Sequence, residues 1–253
     1  MGLMRLLELF RLNVLVSGKK QEVILIEIAM SNQWKQAFSG AHIGMLLMGN
    51  VNNTKRPTPL DELKKNIVSS LRSKYEGCSR ADLLETEVLR IYKSYYKNFG
   101  KTYHVQLQLE SILHKGKSLP NVSPLVDANF AAEMETFLLT AGHDADRLCS
   151  PVTIDLSRGT EEFIQMNGSK KTLKANDMMM TDAKGVVCTI IYGQDQRTPI
   201  SSKTRRALYV TYVPPGVEAE TITTHLDTIK KNVILFAPAA EVEYQQVHSA
   251  DGR

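Results

Sequence analysis

The stretch GHDADRL, residues 142–148, separates two halves of the chain that differ in texture. Residues 57–140, before it, repeat apolar side chains every three or four positions, which predicts a block of amphipathic helices. Residues 150–245, after it, consist of short β-branched and apolar runs between turn residues, which predicts strands. This division favours an α+β fold, in which a helical block packs against a β-rich half with mixed sheets.

The same patterns place the individual elements. Helices are expected at about 57–71, 81–98, 105–114 and 123–139, with a closing helix at about 217–231. Strands are expected at 152–156, 163–166, 178–181, 186–192 and 207–212, followed by 233–236 and 241–245. An opening pair of strands, 22–29 and 41–50, encloses a short helix that Ser31 can cap.

Length and composition limit the class of protein. The 253 residues suffice for one or two domains, and we expect a single α+β domain over 21–253, with residues 1–20 as a separate extension. A hydrophobic share of 43% excludes disordered and collagen-like chains. The three cysteines form no C-x-x-C pair and no apolar run reaches about 20 residues, so we expect a cytoplasmic protein that does not contact membranes.

The charges are unevenly distributed along the chain. Residues 55–117 carry 13 Lys or Arg against 7 Asp or Glu, whereas residues 118–253 carry 13 against 17. A basic segment beside an acidic one is compatible with a polyanion docking on one face, and solvated helix faces are the alternative. The candidate RNA-binding residues are lysines of the basic segment: Lys64, Lys65, Lys93, Lys97, Lys115 and Lys117.

Motifs of several common enzymes are missing from the sequence. It contains no phosphate-binding G-x-x-x-x-G-K-S/T loop, no G-x-G-x-x-G after a strand and no G-x-S-x-G elbow. Within residues 142–148, His143 could position a reacting group and Asp144 could fix its tautomer, although a capped turn with a surface histidine remains the alternative. His143, Asp144 and Asp146 are too few for a convincing metal site. We therefore expect neither a metal nor a cofactor.

A second polar patch, YGQDQRT at residues 192–198, follows a strongly apolar strand. Gln194 and Asp195 could bind an amine or orient a water, and Arg197 could hold a carboxylate or phosphate. A polar turn whose charges are satisfied locally is the alternative. A third cluster, residues 119–129, combines a turn with a helix start, and Asp127 and Asn129 are expected to tie the helical block to the β half.

The order of these clusters resembles a known family. The motifs are KGKSLP at 115–120, PLVD at 124–127, GHDADRL at 142–148, GTEEF at 159–163, DAKGV at 182–186 and the pair Arg197-Thr198. Together, over about 40–245, they resemble the free-standing form of the editing domain of the phenylalanyl-tRNA synthetase beta subunit. That domain hydrolyses the ester of tyrosine wrongly attached to the phenylalanine tRNA, because an apolar pocket cannot reject a hydroxyl strongly.

The resemblance implies an aminoacyl-tRNA hydrolase that needs no metal, with tRNA as partner and no DNA. It assigns catalysis to His143, Asp195 and Gln194, and substrate binding to Asp144, Asp146, Glu162, Arg197, Thr198 and Asn121. In the family, an acidic residue that contacts the substrate follows glycines at this point. Here Gln194 occupies that position, and the acidic residue, Asp195, comes one position later. Residues 187–189, at the expected pocket floor, are bulkier than the family pattern.

Two other functions stay open at this point. One is a non-catalytic module that binds tRNA or a small ligand with the same fold. The other is a hydrolase of small amides or esters. The sequence does not indicate which amino acid is removed, or whether the chain forms oligomers.

Overall fold

The computed structural model describes residues 26–54 and 58–252. The expected extension at 1–20 lies outside the described residues. Seven α-helices occur in the described part of the chain: α1 Asn32–Ala37, α2 Thr58–Lys74, α3 Arg80–Leu83, α4 Glu87–Lys97, α5 His104–His114, α6 Pro124–Thr136 and α7 Ala219–Ile234. None of these helices combines the length and apolar character that a membrane span requires.

The helices largely follow the apolar spacing of the sequence, but the structure corrects two of the expected elements. The helix expected at 81–98 is divided into two helices. Ser79 and Asp82 form a capping box at the start of α3, which ends at Leu83, and α4 begins at Glu87. The strand expected at 233–236 is wrong, since Val233 and Ile234 form the last turn of α7. Ser31 caps α1 as expected, accepting a hydrogen bond from the Trp34 backbone N–H.

Within residues 26–54 and 58–252, the strands form two sheets and a hairpin. The five-stranded sheet has the order β1 Ile28–Met30, β4 Val152–Leu156, β7 Met178–Asp182, β8 Gly185–Thr189 and β9 Gly193–Gln194. The four-stranded sheet has the order β11 Glu241–Ser249, β2 His42–Gly49, β10 Ala207–Val213 and β3 Thr140–Asp144. The hairpin joins β5 Glu162–Ile164 to β6 Lys170–Thr172. Among the described strands, only β1 and β4 pair in parallel, so the expected α+β class with mixed sheets is confirmed.

The two central strands of the four-stranded sheet, β2 and β10, are buried on both faces. Along β10, Tyr209 packs with α6 and α7 residues, whereas Val210 belongs to the larger core that includes the five-stranded sheet. This alternation follows from the two-residue period of a strand. On the α7 side, a Cβ at Gly44 would lie 2.7 Å from the Ile222 side chain, so glycine allows the close approach of the helix.

The two sheets meet beside the end of β3. His143 forms an isolated antiparallel bridge with Pro199, and the Asp144 backbone N–H donates to Thr198 O over 2.9 Å. The chain from β9 to β10 therefore runs along the free edge of β3. This junction brings the polar stretches 142–148 and 192–198 into contact.

Candidate functional site

His143 is the centre of the junction. Its side chain is completely buried, so the alternative of a surface histidine is excluded. Burial lowers the pKa of His143 from 6.5 to about 3, because the charged imidazolium would lose its hydration. The imidazole is therefore neutral at physiological pH.

Two side chains from the 192–198 segment contact one nitrogen of this imidazole. The Gln194 amide nitrogen lies 3.0 Å from His143 Nδ1 and donates to Thr198 O over 2.9 Å. Thr198 Oγ1 also lies 3.0 Å from Nδ1, but its single proton goes to Asp195 Oδ1 over 2.9 Å, so the hydroxyl does not donate to the imidazole. Since the amide NH₂ can only donate, its contact favours Nδ1 as an acceptor, which places the imidazole proton on Nε2.

The second nitrogen of His143 is one of six buried side-chain polar atoms of the described residues that lack a hydrogen-bond partner. Nε2 is buried and has no hydrogen-bond partner among the described residues. Leaving a buried polar group unpaired costs about 1–3 kcal/mol, and folded proteins keep few such groups. The junction therefore contains one buried donor that the fold itself does not use.

Asp195 organises the segment that holds His143. Its Oδ1 accepts hydrogen bonds from the backbone and hydroxyl of Thr198, at 3.1 and 2.9 Å. Its Oδ2 lies 2.6 Å from Arg197 Nε, an ion pair without hydrogen-bond alignment. Arg197 also donates to both carboxylate oxygens of Asp182, at 3.1 and 3.2 Å. The Arg197 charge is thus largely compensated, although 31% of its side chain reaches solvent.

Asp144 and Asp146 belong to a capped turn, as the alternative interpretation of residues 142–148 proposed. Asp144 accepts from the Asp146 backbone N–H and from the Thr204 hydroxyl, at 3.3 and 2.8 Å. Asp146 lies outside, where it pairs with Arg206 at 3.2 Å. Among the described residues, no three His, Cys, Asp or Glu side chains are grouped so that they could hold a metal ion.

Glu162 and Asn121 lie apart from the His143 contacts. Glu162 is exposed on β5 and pairs with Lys170 on β6 at 2.7 Å. That hairpin reaches the junction through Gln165, which forms an isolated bridge with Asp195. Asn121 lies beside α2, where its side-chain oxygen accepts from the Lys64 ammonium.

The candidate RNA-binding lysines differ in exposure. Five are exposed: Lys65 on α2, Lys93 and Lys97 on α4, and Lys115 and Lys117 after α5. Lys64 is a correction, because only 4% of it is exposed and its ammonium binds Asp127 at 2.8 Å, together with Pro120 O and Asn121. Its charge holds α2 to the start of α6 and is not presented to a polyanion.

Two cavities in the described part of the chain lie away from His143. A groove of about 590 Å³ is lined by one face of α2 and by residues 118, 119 and 121. A larger hollow of about 930 Å³ lies between the helical block and α7, and it is mostly acidic. Neither is lined by His143, Gln194 or Asp195. The imidazole is therefore enclosed in this conformation.

Sequence reasoning missed several residues that shape these sites. Thr204 and Asp182 anchor Asp144 and Arg197, and Arg72 lines the α2 groove. Thr198, predicted to bind substrate, lies between His143 Nδ1 and Asp195 Oδ1. No pattern in one sequence signals such partners, because they depend on contacts between distant segments.

Comparison with known proteins identifies the family. No curated protein matches the chain. A solved structure, the N-terminal fragment of the phenylalanyl-tRNA synthetase beta subunit from Pyrococcus horikoshii, aligns with 94% of this chain at 8% identity and a TM-score of 0.46. The chain spans 57% of that fragment. The B3/4 domain model matches residues 88–230, which is more than half of the chain. The chain therefore belongs to the B3/4 domain family, the family of the phenylalanyl-tRNA synthetase beta-subunit editing domain.

Proposed function

We propose that this protein binds the aminoacylated 3′ end of a tRNA and hydrolyses the ester of a mischarged amino acid, a tyrosyl-tRNA(Phe)-like substrate in the first instance. Membership of the B3/4 family supports the substrate class. The observation that carries the chemistry is the buried, unpartnered Nε2 of His143. A fixed N–H donor in a water-poor site is what a developing oxyanion requires.

The chemistry needs no covalent nucleophile, since an aminoacyl ester is already activated. Water attacks the ester carbonyl, the bond from that carbon to the ribose oxygen breaks, and a proton passes to the ribose oxygen. His143 remains neutral throughout because its pKa is about 3. Its Nδ1 accepts from Gln194, so its part is to donate from Nε2 to the carbonyl oxygen.

The other junction residues position this donor. Gln194 orients the imidazole, and Asp195 holds Thr198 against it. Gln194 is half-buried and Arg197 is partly exposed, so they form the solvent side of the cluster.

A non-catalytic tRNA-binding module is the second candidate. The specific observation in its favour is that the large cavities found among the described residues are not lined by His143. In that case, the junction residues serve the fold only, and the protein retains tRNA without hydrolysing it.

Deacylation of a panel of mischarged tRNAs, beginning with tyrosyl-tRNA(Phe), separates the two functions. The wild type is compared with His143→Ala and with His143→Gln, whose amide can place a donor near the position of Nε2. Hydrolysis by the wild type, its loss in His143→Ala and partial recovery in His143→Gln support the hydrolase. Binding without turnover of any tRNA supports the module, and cleavage of short aminoacyl esters without tRNA indicates a small-ester hydrolase.

A further inference from the structure

The groove beside α2 has the size and composition of a binding site. Its volume of about 590 Å³ lies within the usual range for sites that enclose a drug-sized group. Val68 and Leu119, both almost buried, supply an apolar floor. Exposed polar side chains surround that floor: Lys65, Ser69, Arg72, Ser118 and Asn121.

The mouth of the groove is cationic. Asp127 compensates the charge of Lys64, which leaves Lys65 and Arg72 facing a single lining carboxylate, that of Asp61. Two further exposed lysines, at positions 115 and 117, belong to the loop that leads into the groove-lining Ser118. The site therefore favours an anionic ligand.

The walls of the groove are held in place by the protein itself. The Arg72 guanidinium donates to Ile112 O over 3.3 Å and to Lys117 O over 3.2 Å. On the opposite side, the Lys64 ammonium donates to Pro120 O and to Asn121. These bonds fix the loop against α2, so the binding of a ligand does not lose the conformational entropy of ordering this loop.

A continuous set of contacts leads from the groove towards His143. Beyond Asn121, the Ser123 hydroxyl accepts from Asn53, whose amide also donates to Ser201 O over 2.9 Å. The neighbouring Ile200 packs on Gly142, where a Cβ would lie 2.7 Å from its Cδ1. Gly142 precedes His143 directly. Contacts through the interior thus connect the groove to the candidate catalytic centre.

We infer that the α2 groove holds the sugar–phosphate backbone of the single-stranded 3′ end of the tRNA. This inference rests on the proposed function, which makes tRNA the substrate. Lysines and Arg72 neutralise the phosphates, and the apolar floor contacts a base. A groove of this volume admits one or two nucleotides of a single strand but not a duplex.

The test uses uncharged tRNA and two variants that remove the same charge. Lys65→Ala, Lys115→Ala and Lys117→Ala are combined in the groove variant, and Lys101→Ala, Lys184→Ala and Lys231→Ala in the control. All six side chains are exposed, so both proteins should fold. Binding to the groove variant should weaken roughly tenfold or more and its salt slope should fall by about 2, whereas the control should change less than about twofold.

Two further measurements test the groove rather than its charge. Ser69→Trp fills the groove without removing a cation, and it should weaken binding to a similar extent. Wild-type protein should bind a tRNA that lacks its single-stranded 3′ nucleotides as weakly as the groove variant binds the complete tRNA. Equal losses in the two triple variants, or full affinity for the truncated tRNA, overturn the inference.

Failure of this inference and failure of the proposed hydrolase give different results. Binding of uncharged tRNA does not depend on ester cleavage. Groove-dependent binding without any deacylation contradicts only the hydrolase. Deacylation that depends on His143 but not on the groove contradicts only the inference.

Discussion

Two buried histidines, His143 in β3 and His225 packed against that strand, show how little burial alone says about function. His143 and His225 are both completely buried, and burial lowers the pKa of each to about 3. His225 has a partner for each nitrogen, because Nδ1 lies 2.7 Å from Thr136 Oγ1 and Nε2 lies 2.7 Å from Thr140 Oγ1. His143 has partners only at Nδ1.

The difference separates a structural from a candidate catalytic histidine. His225 joins α7 to α6 and β3, and its hydrogen bonds account for every polar atom of the ring. The unpaired Nε2 of His143 stabilises nothing in the described structure. Hydrogen-bond satisfaction, rather than the pKa, therefore distinguishes the two rings.

The largest expected effect comes from removing each imidazole in turn. His143→Ala should lower the rate of deacylation by about 10²–10³-fold, the usual effect of losing one oxyanion donor. His225→Ala should leave the rate per folded molecule within about twofold, because it acts only through stability. Single-turnover deacylation, corrected for the folded fraction, measures both. Equal losses of rate in the two variants would show that the comparison is wrong.

Stability should show the opposite order. His225→Ala removes two hydrogen bonds, one to the half-buried Thr136 hydroxyl and one to the buried Thr140 hydroxyl, each of which contributes about 0.5–1.5 kcal/mol. His143→Ala removes a donor that was already unpaired, and Gln194 lies partly in solvent. Chemical denaturation at pH 7.5 should therefore find His225→Ala the less stable variant. A larger loss in His143→Ala would identify that ring as structural.

Acid should affect the two histidines alike. Each is neutral in the folded protein, while the unfolded chain takes up a proton below pH 6.5, so stability is present above 6.5 and falls as the pH drops towards 3. Each ring contributes about 1.4 kcal/mol per pH unit over that window. Unfolding free energies measured from pH 7 to 5 should show a shallower slope in either alanine variant, by the same amount.

Glu133 extends the comparison to the opposite charge. It is buried beside β3, and burial raises its pKa to about 8, although Oε1 accepts from the Thr140 backbone N–H at 2.9 Å. The folded protein therefore keeps the proton, and stability falls as the pH rises from about 4.5 through 8. Glu133→Gln keeps the hydrogen-bond acceptor but cannot ionise. The free energy of unfolding of this variant should therefore not show the fall of about 1 kcal/mol per pH unit that Glu133 causes in the wild type. The free energies of unfolding of the wild type and the variant at pH 6 and 8 measure this effect. If the difference between the two pH values were the same in both proteins, the prediction would be contradicted.

The smallest expected effect is an absence of change. Since the pKa of His143 is about 3, the rate of deacylation should show no inflection near pH 6.5 that depends on this residue. The pH profiles of wild type and His143→Gln should therefore have the same shape between pH 5.5 and 8. An inflection near 6.5 that is lost in His143→Gln would mean that His143 exchanges a proton in the reaction.

Sequence reasoning reached the family and most elements but not the burial of individual polar residues. Motif order indicated the B3/4 family, which the family model confirms. Lys64 was taken as a surface residue beside Lys65. It lies four residues after Leu60 and four before Val68, both of which are buried, so the helical period already placed it on the inner face. Lysine's usual exposure concealed that signal.

Which strands pair with each other could not be predicted from one sequence. The two opening strands were expected as a pair, yet β1 pairs with β4 and β2 lies between β11 and β10. Local patterns indicate that a segment is extended and which residues face inward. They do not say which distant segment completes its hydrogen bonds, because that choice depends on how the whole core is filled.

The sequence by itself determined the α+β class, the boundaries of most helices and the family, since these depend on local periodicity and on the order of short motifs. Only the tertiary structure decided that His143 is enclosed, that one of its nitrogens lacks a partner and that Lys64 faces Asp127. Burial and hydrogen-bond pairing are properties of contacts between segments far apart in the chain. They exist only once the two sheets and the helical block have packed together.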